Sequence, residues 1–271
     1  MAVPKISTFV LWFFRRIVRR YFRRHFSGVR LSGDPNLASL SDERLIVYAN
    51  HSSWWDPMVL VLLAAKLMPK RKHFAPMDAA ALERYGIFKK IGVFGVEMNS
   101  ARGAARFLRM GKEIVQSGGV LWVTPQGRFA DSRERPLGFK PGLAALAAKM
   151  EGGCTVLPLA IEYVFWDERL PETLLHFGDP VRVDGQSVDE VQELLEAALL
   201  KAMETLKAEA MSRNPAGFSL LHVGTVGTGG FYELGQRMIA ALRRRRFQPE
   251  HTAVVVPPPI PNRVPSREGH G

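Results

Sequence analysis

Residues 45–69 read LIVYANHSSWWDPMVLVLLAAKLMP, and the reading of this stretch decides the fold. Its opening run is apolar and partly β-branched, as in a buried strand that ends at Asn50. Pro57 falls in a first helical turn, where proline is tolerated, and Pro69 lies past the point where a helix must stop, so residues 57–69 read as a helix. His51 and Asp56 therefore sit on a strand-to-helix loop. Open α/β sheets place their chemistry on such loops.

The same His-to-Asp spacing recurs at His73 and Asp78 in HFAPMD, so spacing alone selects neither pair. Context separates them. Residues 72–77 read as the next strand, with Asp78 the N-cap of the helix AAALERY, which gives His73 and Asp78 structural roles.

The alternation continues down the chain. Val93–Met98 reads as a strand, residues 101–119 as a helix closed by Gly118 and Gly119, and residues 120–124 as a buried strand. A loop, PQGRFADSRERPLGFK, leads to a helix over Pro141–Met150 and a strand over residues 155–163. LLHFGDPVRV (174–183) reads as a last strand or a hairpin pair, and residues 187–211 as a long amphipathic helix with Ser187 and Glu190 in capping-box spacing. The expected fold class is α/β: a largely parallel mixed sheet flanked by helices, with an amphipathic amino-terminal helix. The expected domains are a basic helix (1–30), the α/β body (31–213), a Gly-rich linker with a basic helix (214–247) and a Pro-rich tail (248–271) with the composition of a disordered segment.

The 271 residues carry a formal net charge of +11, and the charge sits at the ends. Residues 1–30 hold eight cations and no acid, the stretch 243–271 adds six arginines against two glutamates, and the body is near neutral. A nucleic-acid surface would run over the folded body, so no nucleic-acid partner is expected. In FVLWFFRRIVRRYFRRHF, arginine pairs alternate with apolar pairs, which puts Phe13, Phe14, Ile17, Val18, Tyr21 and Phe22 on one half of a helix and six arginines on the other. That pattern fits an anionic membrane surface; a helix laid on the protein's own body with a solvated basic face, or an Arg-rich transit peptide, would share it. No run reaches the roughly 18 apolar residues that span a bilayer, and a signal peptide fits poorly because the arginines follow the apolar run. The single cysteine, Cys154, excludes an internal disulfide framework and a thiolate zinc cluster. A reducing, cytosol-facing location is expected, with no metal and no resident cofactor.

An imidazole can take a proton from an alcohol near neutral pH, and a neighbouring carboxylate can hold its tautomer and stabilise the imidazolium. No protein nucleophile is evident: G-x-S-x-G is absent, and Cys154 opens a strand. The base would then act on a substrate hydroxyl or on water. Trp54 and Trp55, between the pair, read as one cleft-lining ring and one core filler.

Four stretches in order, NHSSWWDP, GVFGVEMNSARGAARFL, WVTPQGRFADSRERPLGFKPGLAALA and VLPLAIEY, resemble the four blocks of the PlsC-like glycerolipid acyltransferases, from about Leu45 to Tyr163. The resemblance implies that His51 deprotonates an acceptor hydroxyl and that Asp56 orients it. The oxygen would attack the thioester of acyl-CoA or acyl-carrier protein with no covalent acyl-enzyme, at the cytosolic face of a membrane. Two blocks depart from the family pattern. Met98, followed by Asn99, stands where the second block has an Arg for the acceptor's phosphate, and Gln126, Gly127, Arg128 and Phe129 stand for E-G-T-R. Arg128, Arg102 or Lys140 could restore positive charge, while neutral Gln126 suits a sugar or glycerol hydroxyl equally well. The expected acceptor is a lysophospholipid or related lipid alcohol, or else an unphosphorylated glycolipid or carotenoid glycoside. A lipid hydrolase in which His51 activates water, and a silent membrane-surface protein, are readings of other classes.

Overall fold

The structure, a computed structural model, describes residues 3–227 apart from 34–36, 38 and 41. The basic helix expected to end at residue 247 and the Pro-rich tail lie outside the described residues.

The elements run α1 (Thr8–His25), β1 (Gly28–Ser32), β2 (Leu45–Ala49), α2 (Asp56–Leu67), β3 (His73–Asp78), α3 (Ala79–Arg84) and a 3₁₀ turn (Gly86–Ile91). Then follow β4 (Val93–Val96), α4 (Ala101–Gln116), β5 (Val120–Val123), α5 (Gly142–Ala148) and β6 (Cys154–Val164). The remainder is β7 (Glu172–Phe177), β8 (Val181–Val183), α6 (Val188–Ser212), a second 3₁₀ turn (Pro215–Gly217) and β9 (Ser219–Val223). The sheet order is β4-β3-β5-β2-β6-β7-β1-β9, and the first five strands are parallel. β7 runs antiparallel to β6, and β9 antiparallel to β1.

β2 shows why its sequence is a continuous apolar run: all five of its residues are buried, as for a strand covered on both faces. Ile46 and Tyr48 face the layer that contains α4, α5 and α6, while Leu45, Val47 and Ala49 face the layer that contains α1 and α2. The Ser187–Glu190 capping box closes both hydrogen bonds at the start of α6, and Gly118 takes the left-handed backbone after α4.

Two features differ from the sequence reading, and a third fits one of the readings it left open. LLHFGDPVRV is neither a single strand nor a hairpin, because β7 and β8 both pair antiparallel with β6, one after the other along its length. The break falls at Gly178-Asp179-Pro180. The sheet also extends past residue 213: β9 forms an edge against β1, and β1 follows α1 after only Phe26 and Ser27. Both strands are short and mixed in polarity, so their place is set by pairing and not by local pattern. Finally, α1 lies on the body along Phe14, Val18 and Phe22, with the Phe14 ring edge-on to Phe88 at 5.6 Å. It still exposes Phe9, Trp12, Phe13 and Tyr21 beside its arginines.

The second His/Asp pair has the structural roles expected. Asp78 accepts the Ala81 N–H at 2.9 Å as N-cap of α3. His73 Nε2 lies 2.8 Å from the Met68 carbonyl oxygen, and the Trp122 indole donates to His73 Nδ1 at 3.0 Å. Nδ1 is therefore the acceptor and Nε2 carries the proton. Burial, assisted by the charges of Arg15 and Arg71, lowers this imidazole to about pKa 4 against the Met68 hydrogen bond, which raises it. Between pH 6.5 and 4 the unfolded chain holds a proton that the folded chain refuses, so stability falls as pH drops through that window, by up to about 3 kcal/mol. Urea unfolding at pH 7 and pH 5 should show about 2 kcal/mol of this loss in the native chain and a smaller one in His73→Gln; equal losses would remove His73 as its source.

Candidate active site

At the carboxyl end of β2 the ladder with β6 ends at Ala49, paired with Leu159. Asn50 replaces the next rung with its side chain: Nδ2 donates to the Ile161 carbonyl oxygen at 2.9 Å, and Oδ1 accepts the Ile161 N–H at 2.8 Å. The backbone is thereby released from the sheet to form the loop that bears His51.

The loop folds back on the first turn of α2. Asp56 is fully buried, and its Oδ2 accepts from His51 Nδ1 at 2.8 Å and from the Ser53 N–H at 2.9 Å. Its Oδ1 accepts from the Tyr163 hydroxyl at 2.5 Å. An ionised carboxylate can only accept, so His51 Nδ1 is the donor and the neutral ring's lone pair lies on Nε2. Among the described residues Nε2 has no hydrogen-bond partner, and the His51 side chain is 16% exposed. The helix N-terminus adds a favourable field for the carboxylate. Two groups five residues apart in sequence thus form a base with its lone pair outward and its anion sealed inside.

The loop after β5 grips His51 from the other side. The His51 N–H donates to Gln126 Oε1 at 2.9 Å, and the Ala130 N–H donates to the His51 carbonyl oxygen at 2.8 Å. Gln126 Nε2 donates to the Leu137 carbonyl oxygen at 3.3 Å. Gln126 is 4% exposed, so both ends of its amide are engaged in holding the loop that carries the base. This differs from the substrate-facing place expected of it. Phe129 is exposed, with its ring 4.5 Å from that of His51, and forms an apolar wall beside the base.

The expected cations divide. Arg128 pairs with Glu134 on the exposed outside of the loop, and Arg102 is solvated, with Glu97 at 3.8 Å. Lys140, also exposed, is the one tied down over the loop. Its backbone N–H donates to the Pro125 carbonyl oxygen, and its side chain lies so close over Gly127 that a Cβ there would fall 2.9 Å from Lys140 Cε. Gly127 has a left-handed φ of 62°, which makes glycine the fitting residue twice over. Lys140 Nζ donates to Asn99 Oδ1 at 3.0 Å. Asn99 is held in left-handed backbone, φ 57°, at the turn before α4, and Gly103 packs on that turn so tightly that a Cβ would meet the Glu97 carbonyl oxygen at 1.9 Å.

The two tryptophans differ in burial. Trp55 is half-buried among Phe22, His25 and Phe26 at the end of α1, the Phe26 ring 4.8 Å away, while Trp54 is exposed. The residue that sequence reasoning missed is Tyr163. It closed the fourth quoted block, but its partner lies 107 residues away, and only the pairing of β2 with β6 brings them together.

The Acyltransferase family model matches residues 28–162, a span that contains every residue of this constellation except Tyr163. The chain belongs to the Acyltransferase family. Among solved structures it is similar in fold to the 1-acyl-sn-glycerophosphate (LPA) acyltransferase PlsC from Thermotoga maritima, with a TM-score of 0.52 and 21% identity. That match covers 74% of this chain and 80% of the other. No curated protein matches it significantly in sequence.

Proposed function

We propose that this acyltransferase moves a fatty acyl group from an acyl thioester, acyl-CoA or acyl-carrier protein, to the hydroxyl of a lysophospholipid such as lysophosphatidate or of a related lipid alcohol. The observation that carries the reading is His51, backed by buried Asp56, with its lone pair outward at the carboxyl edge of a parallel sheet. His51 Nε2 takes the hydroxyl proton as the oxygen attacks the thioester carbonyl carbon. The C–O bond forms, the C–S bond breaks, and the imidazolium returns the proton to the departing thiolate, releasing a thiol. Asp56 holds Nδ1–H and stabilises the transient imidazolium. The one cysteine takes no part: Cys154 is buried and its thiol is pushed up to about 11.

The exposed Phe9, Trp12 and Phe13 of α1, with the Arg16 guanidinium 5.2 Å from the Trp12 ring, support peripheral docking on an anionic, cytosol-facing membrane surface. Among the described residues no helix is long and apolar enough to cross a membrane.

A second reading concerns the acceptor. Phe129 lies tilted beside His51 where a phosphate-binding Arg is usual, Arg128 is turned to Glu134, and Gln126 is engaged in the scaffold. Lys140, exposed and bonded to Asn99, is the remaining cation. This favours an acceptor without a phosphate, such as a glycolipid. Acyl-CoA with a panel of lysophosphatidate, neutral lysolipids and glycolipids tests both readings. A lipid alcohol acylated above the no-acceptor control supports the proposal, and the better class of acceptor chooses between the two; no acylated product with any acceptor and either donor would refute it.

A further inference from the structure

Tyr163 lies on the part of β6 that runs beyond its pairing with β2, in register with Thr173 of β7. It shares a sheet face with Leu157, Leu159 and Ile161, the face covered by α1 and α2. That face is where Asp56 opens α2. The ring is packed against Phe26 at 5.9 Å, and the same Phe26 packs on Trp55.

Asp56 has two oxygens to satisfy in a site closed to water. Oδ2 takes the His51 and Ser53 donors, and Oδ1 takes Tyr163 alone among the described residues. A buried carboxylate oxygen without a donor is costly, and the group would answer by turning about its side-chain torsion or by binding a proton. Either response releases His51 Nδ1. We propose that Tyr163 is a positioning residue: its hydroxyl fixes Asp56 Oδ1 and thereby keeps Oδ2 on His51 Nδ1. The assignment rests on the reading of His51 as the base. Tyr163 itself is suited to permanent donation, because burial, with the Asp56 charge adding to it, pushes the phenol above its ordinary range and keeps it protonated. Among the described residues the titratable groups around this contact are Asp56 and His51 on the loop, with His25 and Tyr21 of α1 packed on Trp55.

Phenylalanine fills the same volume, so Tyr163→Phe removes the hydroxyl and little else. In the full chain the variant should lose about tenfold in kcat, with KM for donor and acceptor unchanged. With Asp56 turned away or protonated, the imidazolium loses its stabilising anion. The acid limb of the kcat profile should therefore move to lower pH, and the NMR titration midpoint of the His51 ring should fall with it. Combined with Asp56→Asn, the Tyr163 substitution should shift neither further, because its effect passes through the carboxylate. An acid limb and a His51 titration that superimpose on those of the native chain would overturn the proposal, even if thermal stability falls, since Tyr163 would then be only a core residue. The NMR arm needs no turnover. If the native chain acylates nothing, the base reading fails while the His51 titration still decides the role of Tyr163.

Discussion

His51→Ala should lower acyl transfer by about 10² to 10⁴-fold, the range that a positioned general base contributes, and should leave the fold in place. Two features of the structure separate activity from stability here. The imidazole makes one polar side-chain contact, to Asp56, so truncation orphans a single acceptor. That acceptor, Oδ2, keeps the Ser53 N–H, and Oδ1 keeps the Tyr163 hydroxyl, so the buried charge retains two of its three donors. The backbone of His51, which bonds to Gln126 and Ala130, is unaffected by the substitution. Single-turnover transfer and a thermal melt on the same preparation check both halves. Wild-type transfer in the variant would remove His51 from the reaction, while a collapsed melt would show that the loop depends on the ring.

Substitution of Asp56 should separate differently. Asp56→Ala leaves the Tyr163 hydroxyl and the Ser53 N–H without their acceptor inside a fully buried site. At about 1–3 kcal/mol for each unsatisfied donor, the variant should lose several kcal/mol of stability as well as most of its activity. Asp56→Asn keeps the shape. Its amide oxygen can replace Oδ2, and its NH₂ can donate to the Tyr163 oxygen, since a phenol accepts as well as donates. Stability should fall by only about 1 kcal/mol, yet the anion that stabilises the imidazolium is gone, and transfer should still drop on the order of 10²-fold or more. Urea denaturation with kinetics on both variants checks this. A fully active Asp56→Asn would mean that geometry and not charge is what Asp56 supplies.

The parallel half of the sheet was legible because β2, β5 and most of β6 are buried on both faces and read as apolar runs, and because proline, glycine and caps bound the elements. β2, β3, β5 and α6 fall within a residue or two of their expected limits, and Asp78 caps α3 as its position before AAALERY required. The antiparallel half was not legible in the same way. β1 and β9 are edge-ward strands with polar residues inside them, and β8 is three residues long; each exists because a neighbour pairs with it. At the site, His51 and Asp56 could be selected because a loop between a strand and a helix is a local pattern. Gln126 shows the limit of that approach. A neutral amide satisfies a substrate hydroxyl and two backbone groups equally well, and only the fold reveals that the His51 N–H and the Leu137 carbonyl hold it. Arg128 is similar, since the acid that pairs with it, Glu134, lies six residues on in the same loop. Tyr163 carried no local signal at all, because its role exists only across the β2–β6 pairing.

The central claim is that the acyl group passes to a lipid hydroxyl and not to water. It is tested most directly by following free thiol and new ester in one reaction, with labelled acyl-CoA or acyl-carrier protein, with and without a lipid acceptor. The predicted result is thiol and ester in equal amounts, dependent on His51 and near background when the acceptor is left out. Thiol released at an undiminished, His51-dependent rate in the absence of any acceptor, with free fatty acid as the product, would contradict it and make the protein a hydrolase.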